Sequence, residues 1–180
     1  MTLSRAEASA ALTDVAAAQK RSEAFRFYQT ASPHLIIWGV AWAAAYSIGD
    51  LRPGWNNLAW SVIAPLAVIG DILAARSDAA SEHGGTVGAL FGIVAVFVVS
   101  TIAIMAPSDP RQVGAFIPLV VAAGYAILGL MGAPRLLVLG GTLAVLVVGG
   151  FFALPTHFSL WMAVCGGGAL LLGGFWLRQA

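Results

Sequence analysis

The chain has 180 residues, of which 59% are hydrophobic and only 9% charged, far below the roughly 25% charge of an ordinary soluble domain. Charge is crowded into the first 26 positions (Arg5, Glu7, Asp14, Lys20, Arg21, Glu23, Arg26), so the rest of the chain is suited to lipid rather than water. A net charge of +1, with no Lys/Arg cluster interleaved with aromatics, excludes the footprint of a nucleic-acid binder, and the single cysteine, Cys165, excludes an internal disulfide or a cysteine-based metal site.

The N-terminal stretch is polar and alanine-rich and lacks the continuous apolar core of a secretory signal, so it is expected to stay in the mature protein. It opens with the capping-box pattern Ser4-Arg5-Ala6-Glu7 and sets Leu12, Val15, Ala16, Ala18, Ser22 and Phe25 along a modest stripe. These features predict a cytoplasmic amphipathic helix over residues 1–31, serving either as a docking arm or as a helix on lipid headgroups. Ser32-Pro33 reads as a cap followed by a first-turn proline, which would turn the chain there into its membrane part.

A bilayer core about 30 Å thick needs about 20 apolar residues of helix. Six such runs follow, near 33–49, 56–75, 87–106, 113–133, 136–154 and 158–177, separated by proline-marked or polar breaks. The expected fold is all-α: a six-span membrane bundle over residues 32–180, built of three helical hairpins. In that topology Arg5, Lys20, Arg21, Arg26, Arg76, Arg135 and Arg178 fall on one side and only Arg52 and Arg111 on the other. Cytoplasmic loops retain positive charge, so both termini are expected in the cytoplasm. Alanine, glycine and arginine richness suggests a bacterial inner membrane.

Gly39, Gly92 and Gly140 precede Pro53, Pro107 and Pro155 at similar spacing, and Arg76, Arg135 and Arg178 follow them. This pattern is either a parallel repeat of hairpins or the ordinary consequence of keeping arginine on one side. Helices in lipid associate through small residues, which marks Gly88 with Gly92, Ala163 with Gly167, and Ala169 with Gly173 as packing seams, within one chain or between chains. Pro65 and Pro118 fall inside spans, where each frees a backbone carbonyl.

Asp71 is the one ionisable residue placed clearly within a span, and a carboxylate there should pair with a cation, with Arg135 or Arg178 in reach, or take up a proton. His34, Trp38, Trp42, Tyr46 and Asp50 recur every four residues along the first span. The ridge could cradle an organic cation, a haem or a quinone, or simply anchor and pack the helix. His34, His83 and His157 do not converge on one metal in this topology, and no hydrolase, phosphate-loop or Cys/His motif is present.

Two functions remain in view, neither with a cofactor or a metal. One is a non-enzymatic membrane module (subunit, sensor or regulator) that sits in the bilayer and assembles with a protein partner or with itself. The other is a small transporter or channel for a proton, organic cation or other small solute, using Asp71 and the aromatic ridge.

Overall fold

The structure is a computed structural model that describes residues 5–77 and 84–179, with side-chain surroundings for 9–75, 89–90 and 92–179. The capping box at Ser4, the side-chain surroundings of Arg76, the surroundings of Gly88, and His83 lie outside the described residues. The fold is all-helical, with no strand among the described residues: α1 Arg5–Leu51, α2 Asn56–Ser77, α3 Gly84–Met105, α4 Pro110–Leu130, α5 Pro134–Ala153 and α6 Phe158–Arg178. Within α6 the turn Met162–Gly166 widens to π geometry.

Four stretches are long and apolar enough to cross a membrane among the described residues: Pro53–Ala75, Pro110–Leu130, Pro134–Ala153 and Phe158–Arg178. The described apolar part of α3, Gly92–Met105, is shorter. The inner half of α1 is diluted by His34, Trp38, Trp42, Tyr46 and Asp50.

The expected turn at Ser32-Pro33 does not occur. α1 is one helix of 47 residues with Pro33 inside it, about 70 Å long at 1.5 Å per residue. Pro33 removes one N–H and frees the carbonyl of Gln29, but Gln29 is exposed, so that carbonyl is not stranded. Ser32 is not a cap. It is fully buried and donates its hydroxyl to the Gly174 carbonyl of α6 at 2.8 Å, while Arg178 Nε donates to it at 3.1 Å. Tertiary bonds across the helix therefore override the local stop signal.

Packing centres on α1. Its Gly39 meets Gly167 of α6 so closely that a Cβ on Gly39 would lie 2.7 Å from Leu171, and one on Gly167 would lie 2.9 Å from the Ala43 nitrogen. α4 and α5 form a second tight pair through Gly140, where a Cβ would fall 2.5 Å from the Ala122 carbonyl. α5 joins the pairs, with Leu139 filling the space over Gly173. The core is formed by Leu35, Trp42, Tyr46, Leu136, Leu143, Val147, Phe158, Met162 and Leu170.

The other two helices are peripheral. α2 packs closely on α1 and on no other long helix among the described residues, and α3 packs closely on none. The side chains of Ile93, Val96, Val99, Ile104 and Met105 are exposed, and Phe97 meets Phe116 of α4 with ring centroids 6.4 Å apart. The tightest neighbours are thus α1 with α6 and α4 with α5, rather than the members of successive hairpins.

Of the small-residue seams, Gly167, Gly173 and buried Ala163 are used within the chain, Ala169 is half-buried beside them, and Gly92 faces open space. The repeat glycines diverge in the same way, since Gly39 and Gly140 sit at close approaches and Gly92 does not.

Gly167→Leu should separate α1 from α6 and cost about 2 kcal/mol or more, the scale of overpacking a tight core. Gly92→Ala should leave stability unchanged or slightly raised. Thermal unfolding of the detergent-solubilised variants checks both.

Candidate functional site

α1 and α2 lie side by side, and their facing residues build the one polar cluster of side chains inside the bundle that the sequence singled out. His34 and Trp38 are four residues apart on α1 and so share a face. Both reach the same carboxylate oxygen of Asp71 on α2: His34 Nδ1 lies 2.8 Å from Oδ2, and Trp38 Nε1 donates to Oδ2 at 2.7 Å. The second oxygen, Oδ1, is buried and has no hydrogen-bond partner among the described residues. Tyr125 of α4, itself buried, stands within electrostatic range of the same carboxylate.

Indole N–H can only donate, so Oδ2 acts as an acceptor toward Trp38. The His34–Asp71 contact therefore carries a proton that sits either on Nδ1 or on the carboxyl group. A bond to an ionised group is the stronger kind, which makes the pair a place where one proton is held between two helices.

The predicted arginine partners are elsewhere. Arg135 donates to the Trp176 carbonyl at 2.9 Å, with its guanidinium 5.7 Å from the Tyr28 ring centroid and 5.1 Å from that of Trp176. Its backbone N–H also donates to the Tyr28 hydroxyl at 3.3 Å. Arg178 is bonded to Ser32. Both arginines serve α5 and α6, which meet α1 along another side from α2. Asp71 takes its side-chain partners from the helix that packs on it.

The rest of the aromatic ridge is core. Trp42 and Tyr46 are buried, with their ring centroids 6.1 Å apart, and Tyr46 meets Trp60 of α2 edge-on at 5.1 Å.

Tyr46 has a definite polar task. Its hydroxyl donates to the Gly114 carbonyl at 2.7 Å, and Gly114 lies four residues before Pro118, the residue that has no N–H to offer it. The tyrosine closes the backbone vacancy that the proline opens. The sequence marked Ser32 as a cap and not as a tertiary donor, and it did not foresee the Tyr46–Gly114 bond or the place of Tyr125 beside Asp71. The Pro118 spacing pointed to a carbonyl in need of a donor, but not to which helix would supply it.

At the far end of the bundle, Asp109 caps α4. Its side chain accepts from the Arg111 backbone and guanidinium, and Arg111 also donates to the Pro155 carbonyl at 3.1 Å. These bonds from Arg111 hold the Asp109 carboxyl below its ordinary range. The clamp is thus present above the usual carboxylate range and is lost as pH falls through the lowered value. The structure gathers Arg135 and Arg178 at the end where α1 projects, and Arg111 at the opposite end.

Among the described residues no three His, Cys, Asp or Glu side chains converge as metal ligands. Two shallow apolar grooves open on the outer faces, one between α4 and α5 at Phe116 and Val148 and one between α5 and α6 at Thr142 and Cys165. Neither includes the Asp71 cluster. The chain matches no protein-family model, no curated protein and no solved structure.

Tyr46→Phe should leave the Gly114 carbonyl unpaired and cost about 1 kcal/mol, within the range measured for hydrogen bonds between membrane helices. Tyr28→Phe, whose hydroxyl accepts from Arg135 near the bundle's end, should cost less. Unfolding of each variant in detergent gives the comparison.

Proposed function

We propose that the chain is a non-enzymatic multi-pass module of a bacterial inner membrane, a subunit, sensor or regulator that assembles through its N-terminal helix. In this reading six helices span the bilayer as three hairpins, the arginine-rich end of the bundle lies in the cytoplasm, and both termini lie there with it. The four stretches long and apolar enough to cross a membrane and the separation of Arg135 and Arg178 from Arg111 support that topology.

One observation carries the functional reading: α1 runs unbroken from Arg5 to Leu51, and residues 9–23 are exposed without exception. A bilayer consumes about 20 residues of helix, so more than half of α1 remains to project. The projecting part is continuous with the span that touches α6 and α2. A partner gripping the arm would be joined to the bundle by a stiff rod rather than a loop. The face of α3 that carries Gly92 adds a second surface on which helices in lipid can associate.

Deleting residues 9–23 should leave the bundle folded, because none of these residues is buried, and should remove any second polypeptide or second copy from the assembly. Native mass spectrometry of full-length and truncated chains, each extracted gently from the host, reads both. An assembly of unchanged mass after the deletion would contradict the arm's role.

A small transporter for a proton or cation is the second reading, supported by the His34–Trp38–Asp71 cluster. In liposomes containing a pH-sensitive dye, proton flux that Asp71→Asn abolishes would favour it, and flux that survives would remove Asp71 from the path.

A further inference from the structure

Four features meet at Asp71. Its Oδ2 takes both hydrogen bonds, and both donors come from α1. Its Oδ1 is buried without a hydrogen-bond partner among the described residues. The His34 and Asp71 side chains are 29% and 25% exposed, so neither is sealed inside the protein. And α2, which brings the carboxylate, packs closely on α1 alone among the long helices described. At the opposite end of α2, Asn56 lies against Gly49 of α1, and next to Asp71 itself Gly70 lies against Ile37.

We infer that the His34–Asp71 pair is a proton-binding site that latches α2 onto α1, so that gain or loss of one proton on the α1-arm side of the bundle sets how firmly α2 is docked. With His34 neutral, the site carries the negative charge of Asp71, and the donors it has among the described residues are the neutral N–H groups of His34 and Trp38. Uptake of one proton by the imidazole gives an imidazolium–carboxylate pair of zero net charge, which low-dielectric surroundings favour. A second proton, on the carboxyl group, removes the ion pair again. The tight state is therefore the singly protonated one, bounded on the alkaline side by loss of the imidazolium proton.

The groups that face the pair fit this assignment. Trp38 donates to the carboxylate and cannot titrate, and Tyr125 of α4 stands within electrostatic range. Arg135 and Arg178 are engaged with Tyr28, Trp176 and Ser32. Arg76 follows Asp71 on α2 and has its side chain outside the described residues.

The latch differs from a rigid structural ion pair in what it holds. A pair linking α4 to α5, or α1 to α6, would be one bond among many close contacts. α2 has no second long helix packed closely behind it among the described residues, so the polar bond at Asp71, beside the Gly70–Ile37 contact, holds its arm-side end to α1. α3 follows α2 in the chain and packs closely on no helix among the described residues, meeting α4 at Phe97 and Phe116. The inference deepens the sensor reading above and rests on it for what the motion serves.

The test is a distance between spin labels on full-length protein in nanodiscs. Cys165→Ser removes the native thiol, and Leu66→Cys on α2 and Val148→Cys on α5, both exposed, carry the labels. Between pH 8 and pH 6 the ratio of docked to displaced α2 should rise about fivefold to tenfold, the difference expected between a neutral and a charge-assisted hydrogen bond. Asp71→Asn and His34→Gln should each abolish that response. The glutamine keeps an N–H donor toward Asp71, so the fold is retained should the asparagine variant prove unstable.

An unchanged distance distribution in the native protein would overturn the latch, as would a pH response that survives in either folded variant. A flat response alongside an arm-dependent partner would remove the latch and leave the module reading standing. A pH response without such a partner would do the reverse.

Discussion

The close approach of α1 to α6 is the constraint on which the remaining structure depends. Two helices in lipid gain little from hydrophobic burial against each other, so they must bring their backbones near enough for dispersion and polar contacts to hold them. Gly39 and Gly167 remove the side chains that would keep them apart. Ser32 then bonds to the Gly174 carbonyl, and Arg178 reaches back to Ser32. This seam fixes α1 along most of its bundled length. It is also what carries the helix straight through Ser32-Pro33, where a free peptide would have a reason to stop.

From that fixed axis the other helices divide by how they are held. α5 reaches α6 through Leu139 and Gly173, α4 is locked to α5 at Gly140, and Tyr46 ties α4 to α1 by satisfying the carbonyl that Pro118 leaves open. These four helices form a body with a continuous apolar core. α2 lies outside it, held to α1 by aromatic contact at Trp60 and by the polar cluster at Asp71, and α3 lies further out still. Such a gradient from a tight body to loosely held elements is the usual seat of motions that respond to ligands or protons. It makes α2 the element whose position a single proton can alter.

The sequence was a good guide to element positions and a poor guide to their neighbours. Hydropathy placed the five later helices to within a few residues, because their apolar runs are long and the chain marks the ends with proline. It also picked out Asp71, His34 and Trp38, since ionisable groups and four-residue spacing are visible without coordinates. What it could not weigh was tertiary compensation. Ser32-Pro33 carries a local stop signal that a buried bond from another helix overrules. Asp71 calls for a partner, and proximity to the arginine-rich end suggested Arg135 or Arg178, but partner choice follows from which helix packs on which. Gly92 looks like Gly39 in the sequence, and only packing separates a glycine at a seam from one facing outward.

α1 is a single helix joining an exposed arm to the interior of the bundle. The most direct test of this continuity is the distance between spin labels at Leu12→Cys and Val40→Cys, both exposed positions, in full-length protein with Cys165→Ser. An unbroken helix predicts a narrow distribution centred at about 42 Å, from 1.5 Å per residue over the intervening segment. A distribution centred well below that value, or spread broadly toward short distances, would mean that the chain bends at Ser32-Pro33 and would contradict the account.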